Sequence, residues 1–119
     1  MKEYIEKIFE VIFDGCTFGS VEDDYLIHYS QPCVIMDGSW VESEVNVYEL
    51  AYKCKEWALK QNCSIESTYR NTIGLAWVVY NVKYDGYDKF GIKHEHTYKK
   101  EFHSDTEPEA IFKACEWIL

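Results

Sequence analysis

The segment Leu75 to Tyr84, LAWVVYNVKY, constrains the fold more than any other stretch of the chain. Apolar and aromatic side chains occupy both odd and even positions, so it reads as a central strand covered on much of both faces. A central strand needs a neighbour on each side. Ile65 to Arg70 alternates apolar and polar residues and reads as one neighbour. His96, Tyr98, Lys100 and Phe102 alternate with Thr97, Lys99, Glu101 and His103 and read as the other, a more exposed strand. Asp85-Gly86 and Gly91 mark the loop between them.

Helices flank these strands. Asn46 is placed as an N-cap with Glu49 three residues on, and Val47, Leu50, Ala51, Cys54, Trp57 and Ala58 then follow one helical face to about Gln61. Thr106 caps a final helix with Glu109 in the reciprocal position and Pro108 in the first turn, and its stripe is Ala110, Ile111, Ala114, Trp117 and Ile118. Upstream, Ile5, Ile8, Phe9 and Ile12 predict a helix over Glu3 to Asp14, stopped at Gly15. Tyr25 to Tyr29 and Cys33 to Met36 read as two short strands around Ser30-Gln31-Pro32, ending at Asp37-Gly38. The expected fold class is α+β: an antiparallel sheet of three to five strands packed by helices, sandwich-like (α/β/α), with a helix, three-strand, helix core. The first helix is expected on the opposite sheet face. Trp57, Trp77, Ile111 and Trp117 are expected to be buried at the interface of sheet and helices. A chain of 119 residues has room for one core, and residues 1 to 119 read as one domain.

This element order, with Val47-Tyr48-Glu49-Leu50-Ala51 in one helix and the Thr106-x-Pro108-x-Ala110-Ile111 pattern opening the last, resembles the phage ABA sandwich domain, a family of small bacteriophage and prophage proteins. The resemblance covers about Val41 to Leu119. It implies an α/β/α sandwich and a phage or prophage origin, and it brings no catalytic residues. The same order is similar to the double-stranded RNA-binding domain. There the last helix presents lysines to phosphates, whereas Asp105, Glu107 and Glu109 stand in those positions here and would repel them.

The net charge of -9 is unevenly placed. Residues 1 to 50 carry eleven acids against Lys2 and Lys7, and residues 51 to 119 carry ten acids and ten bases. Such a surface repels free nucleic acid and attracts basic protein surfaces; the competing view is that the charge serves only to keep the protein soluble. Five cysteines without a CxxC pair, and an N-terminus too often interrupted by charge for a secretory signal, place the protein in a reducing cytoplasm. No apolar run approaches membrane-spanning length.

No glycine-rich phosphate loop, nucleophile elbow or Cys-His signature is present, so the protein reads as a non-enzyme without cofactor. Cys54 and Cys115 read as small core residues. His94, His96 and His103 form the one histidine cluster, but no Cys or carboxylate completes a familiar ligand spacing and no metal site is assigned. Two surfaces stand out. The first interleaves acids with rings, Glu22, Asp23, Asp24 and Tyr25 followed by Trp40, Glu42 and Glu44, and would engage a basic groove on a host protein; the competing view is a solvated loop with Trp40 on the core. The second places Tyr80, Tyr84, Tyr98 and Lys100 on the sheet, near Lys89, Lys93 and Lys99, as a pocket for a small anionic ligand such as a nucleotide signal; the competing view of these lysines is a solvated strand edge. The leading functional expectation is a non-catalytic phage accessory protein that inhibits a host defence protein through the acidic surface.

Overall fold

The computed structural model describes the backbone of residues 1–33, 35–36, 38–70, 75–87, 90–91 and 93–119, and the side chains of these except 70, 75–87 and 93–99. Among the described residues the order is α1 (Lys2–Ile12), β1 (Thr17–Glu22), β2 (Leu26–Pro32), β3 (Trp40–Asn46), α2 (Val47–Lys60), β4 (Cys63–Arg70), β5 (Leu75–Tyr87), β6 (Lys93–Ser104) and α3 (Glu107–Ile118). The fold is α+β, as the alternation of strand and helix periods requires. β4, β5 and β6 form an antiparallel sheet in sequence order, and β1, β2 and β3 form a second one.

Both predicted caps form. The Asn46 side chain accepts from the Glu49 N–H at 2.9 Å and Thr106 Oγ1 accepts from the Glu109 N–H at 3.4 Å, each satisfying an amide that has no partner within its helix. α1 buries Ile5, Ile8 and Phe9 and ends at Phe13, whose N–H reaches the Phe9 carbonyl; Gly15 follows at φ +85°. α2 buries Val47, Leu50, Ala51, Cys54 and Ala58, the face its spacing predicts.

α2 and α3 pack on the β4–β6 sheet, and α1 packs on α2, α3 and β1 rather than across the sheet's opposite face. One core joins these layers. Phe9 lies at its centre, stacked on Phe13 at 4.9 Å and tilted against Phe18 and Tyr29, while Ile27 and Val45 bring the first sheet into the same cluster. The molecule is a slab of 56 × 42 × 18 Å.

Several expectations need correction. Cys33, Ile35 and Met36 are not in a strand, and Val34 lies outside the described residues: Ile35 is 92% exposed in the β2–β3 connection, where the Cys33 N–H donates to the Ser39 carbonyl. Ser30 to Pro32 belongs to β2, and Trp40 to Asn46 is a strand rather than a loop. β5 runs through Asp85-Gly86 to Tyr87, so the turn into β6 comes later. Ile111 is buried as expected, but Trp57 is only half-buried and Trp117 is 40% exposed. α3 is contacted by the sheet on one side and by α1 and α2 on another, which widens its buried arc to Phe112 and Cys115 and turns Trp117 toward its margin. The side chain of Trp77 lies outside the described residues. In the backbone register Trp77 pairs with Thr68 and His103, both exposed, and Tyr80 pairs with the buried Ile65.

Candidate functional site

The first sheet is built on tight local geometry. Asp23 to Tyr25 join β1 to β2 in a three-residue hairpin loop; Asp23 and Asp24 both take left-handed backbone angles, φ 52° and 50°, and the Tyr25 N–H donates to the Glu22 carbonyl at 3.0 Å. Aspartate tolerates that region because its short polar side chain bonds locally, and the left-handed pair matches the twist of the flanking strands. The Val47 N–H donates to the Tyr25 carbonyl at 2.8 Å, which seats the turn against the start of α2.

Register then decides which residues share a face. Ile27 and Val45 are partners and point into the core. The alternate pairs, His28 with Glu44, Ser30 with Glu42 and Pro32 with Trp40, point outward. On this outer face His28 Nε2 lies 3.0 Å from Glu22 Oε2, and its Nδ1 lies 3.9 Å from Glu44 Oε2. Trp40, Glu42 and Glu44 follow at every second residue of β3, roughly 7 Å apart. Trp40 is 57% exposed, so it is neither in a loop nor packed on the core. No lysine or arginine occurs between Lys7 and Lys53, and the whole sheet therefore carries no basic side chain except His28.

The acidic residues singled out in the sequence thus converge: Glu22 and Glu44 meet through His28, Asp23 and Asp24 form the adjoining turn, and Glu42 and Trp40 extend the row to the far end of β3. Tyr25 closes the near end, its ring 6.3 Å from that of Tyr48. Tyr48 and Tyr52 are the residues the sequence reading missed. They are 59% and 61% exposed and stand one helical turn apart, flanking the buried face of α2. Their spacing of four residues on the polar side of an amphipathic helix was the available signal. They border a shallow cleft completed by Ala51, Lys55, Glu107, Pro108 and Ile111.

The second surface does not assemble in the same way. The side chains of Tyr80, Tyr84 and Tyr98 lie outside the described residues, as do those of Lys89, Lys93 and Lys99. Lys100 is exposed and holds its ammonium 4.9 Å from the Trp117 ring centroid and 5.6 Å from that of Phe102. The His94 and His96 side chains are likewise outside the description. His103 stands an odd number of residues from both along an unbroken ladder and contacts Glu101 at 3.5 Å. Among the described residues no group of three or more His, Cys, Asp or Glu side chains is placed to hold a metal ion.

All five cysteines are free. Cys54 and Cys115 are fully buried where α2 meets α3, and a hydrogen bond from one thiol to the other, reinforced by burial, pushes the Cys54 pKa well above its ordinary value. A thiol held neutral in this way is a poor nucleophile, in keeping with a packing role. Among the described residues no helix is long and apolar enough to cross a membrane.

Fold and surface together define a small α+β protein with a one-sided acidic sheet bordered by exposed aromatic rings. Comparisons with known protein families, with curated proteins and with solved structures give no match.

Proposed function

We propose that the chain is a non-catalytic phage or prophage accessory protein that binds and inhibits a host protein in the host cytoplasm, in the manner of an inhibitor of a defence system. The observation that supports this reading is the outer face of β1–β3. Glu22, Glu42 and Glu44 line it, the Asp23-Asp24 turn extends it, and Trp40 and Tyr25 stand exposed at its two ends. Regularly spaced carboxylates with aromatic anchors suit a partner groove that is basic, because complementary potential speeds encounter and buried rings supply most of the binding energy. The phage origin rests on the resemblance of the region from Val41 onward. A small anionic ligand such as a nucleotide signal is the weaker reading, since Lys100, the cation it names, is already engaged over two rings.

The test is affinity capture from bacterial lysate at two salt concentrations, with wild type and a variant in which Glu22, Asp23, Asp24, Glu42 and Glu44 are changed to lysine. Wild type should retain a specific partner that the variant loses and that high salt releases. Equal recovery by both proteins would sink the acidic-face reading. A rise in melting temperature with a nucleotide would favour the anionic-ligand reading instead.

A further inference from the structure

The cleft between α2 and α3 gives the partner a more definite chemistry. Its outer wall is the exposed pair Tyr48 and Tyr52, and its floor is apolar, from Ala51, Pro108 and Ile111. Its one cation, Lys55, is committed: Nζ donates to Ser67 Oγ at 2.8 Å and lies 3.9 Å from Glu107 Oε1, which in turn accepts from Ser67 at 2.7 Å. Glu107 and Lys55 offset each other, and the unbalanced charge beside the cleft is acidic: Glu49 follows Tyr48 in α2, and the Glu22–Tyr25 turn is brought alongside by the contact of Tyr25 with Tyr48. Open ring faces beside carboxylates suit one side chain above others. A guanidinium is planar, stacks on aromatic faces and offers paired N–H donors to a carboxylate, whereas an ammonium is a strongly hydrated point charge. An acidic segment or an anionic membrane surface would be repelled by the same field.

We propose that the Tyr48–Tyr52 cleft receives an arginine side chain from a basic segment of the partner, with the Glu22–Tyr25 turn holding the residues that flank it. This rests on the acidic-face reading and adds arginine selectivity to it.

The test titrates the full chain with two labelled peptides of equal charge, one alternating glycine and arginine and one alternating glycine and lysine, followed by fluorescence anisotropy at low salt. Wild type should bind the arginine peptide roughly five-fold more tightly, because a guanidinium stacks flat on the rings and pairs with a carboxylate at once, whereas an ammonium makes only the weaker contact. Tyr48→Leu/Tyr52→Leu, which keeps apolar area but removes the ring faces, should bring the ratio close to one by weakening the arginine peptide more than the lysine peptide. Tyr48→Phe/Tyr52→Phe should retain the ratio. Glu22→Gln/Asp23→Asn/Asp24→Asn should weaken both peptides alike and preserve it. Equal binding of the two peptides by wild type, or a preference that survives the leucine variant, overturns the arginine cleft and leaves the acidic-face reading standing. Binding of neither peptide by wild type at low salt overturns both. Circular dichroism confirms that each variant is folded.

Discussion

At the scale of single residues, Gly19 shows how a local detail supports the acidic face. It stands at the irregularity between Phe18 and Ser20 in the β1–β2 pairing, and a Cβ built there would lie 2.7 Å from the carbonyl oxygen of His28. That oxygen is backbone and cannot swing aside as a flexible side chain would. Gly19→Ala should therefore lower stability by roughly 1–3 kcal/mol, the cost of forcing an extra group into a packed site. Ser20→Ala, an exposed substitution next door, should stay within about 0.5 kcal/mol. Urea unfolding of the two variants checks this, and equal midpoints would show that the strand relaxes around the added methyl. The caps at Asn46 and Thr106 were legible in the sequence because a cap is local chemistry, a side chain and an amide three residues apart. The crowding at Gly19 was not, since it depends on where another strand's carbonyl falls.

At the scale of elements, the helices were easier to read than the first sheet, and the reason is how their apolar residues are distributed. The buried faces of α1 and α2 follow a helical period that no loop would produce. In β3 the outward positions are Trp40, Glu42 and Glu44, residues that look like a solvated loop, and of its inward positions only Val45 is fully buried. Cys33 to Met36 has the opposite character, a run of apolar residues whose content alone suggests a strand, whereas Ile35 and Met36 stand exposed in the β2–β3 connection. α1 is tied to the rest through Ile5, Ile8 and Phe9, while its Lys7 Nζ reaches Glu116 Oε1 of α3 at 2.9 Å across the surface, a contact that raises the Lys7 pKa. Phe9→Ala should cost roughly 3–5 kcal/mol, as for other fully buried rings. Trp117→Ala should cost less than half as much despite the larger side chain, because its ring is 40% exposed and lies at the edge of α3. Chemical denaturation of both variants gives the comparison, and a Trp117 variant as damaged as the Phe9 variant would mean that the margin of α3 is misplaced.

At the scale of the whole molecule, the slab shape leaves more surface in contact with solvent than a chain of this mass ordinarily shows. The accessible surface is 7786 Å², against roughly 6,700 Å² expected for a compact protein of this mass. The radius of gyration is 17.2 Å, against about 13–14 Å for a rounded domain of this length. Small-angle scattering should return a radius close to 17.2 Å and a skewed distance distribution; a value of about 14 Å would show that the two sheets fold closer together in solution. A thin body keeps the acidic face and the Tyr48–Tyr52 cleft reachable together, which a rounder one would hinder.

The sheet order has a consequence for assembly in time. In both sheets every strand pairs with its neighbour in the sequence, so each meander closes short loops, and the entropy to be lost before the first native contacts form is small. The contact between α1 and α3 is of another kind, since Lys7 and Glu116 are separated by 109 positions in the chain. The two hairpin meanders can therefore form early, whereas the docking of α1 on α3 waits on the meeting of distant parts of the chain.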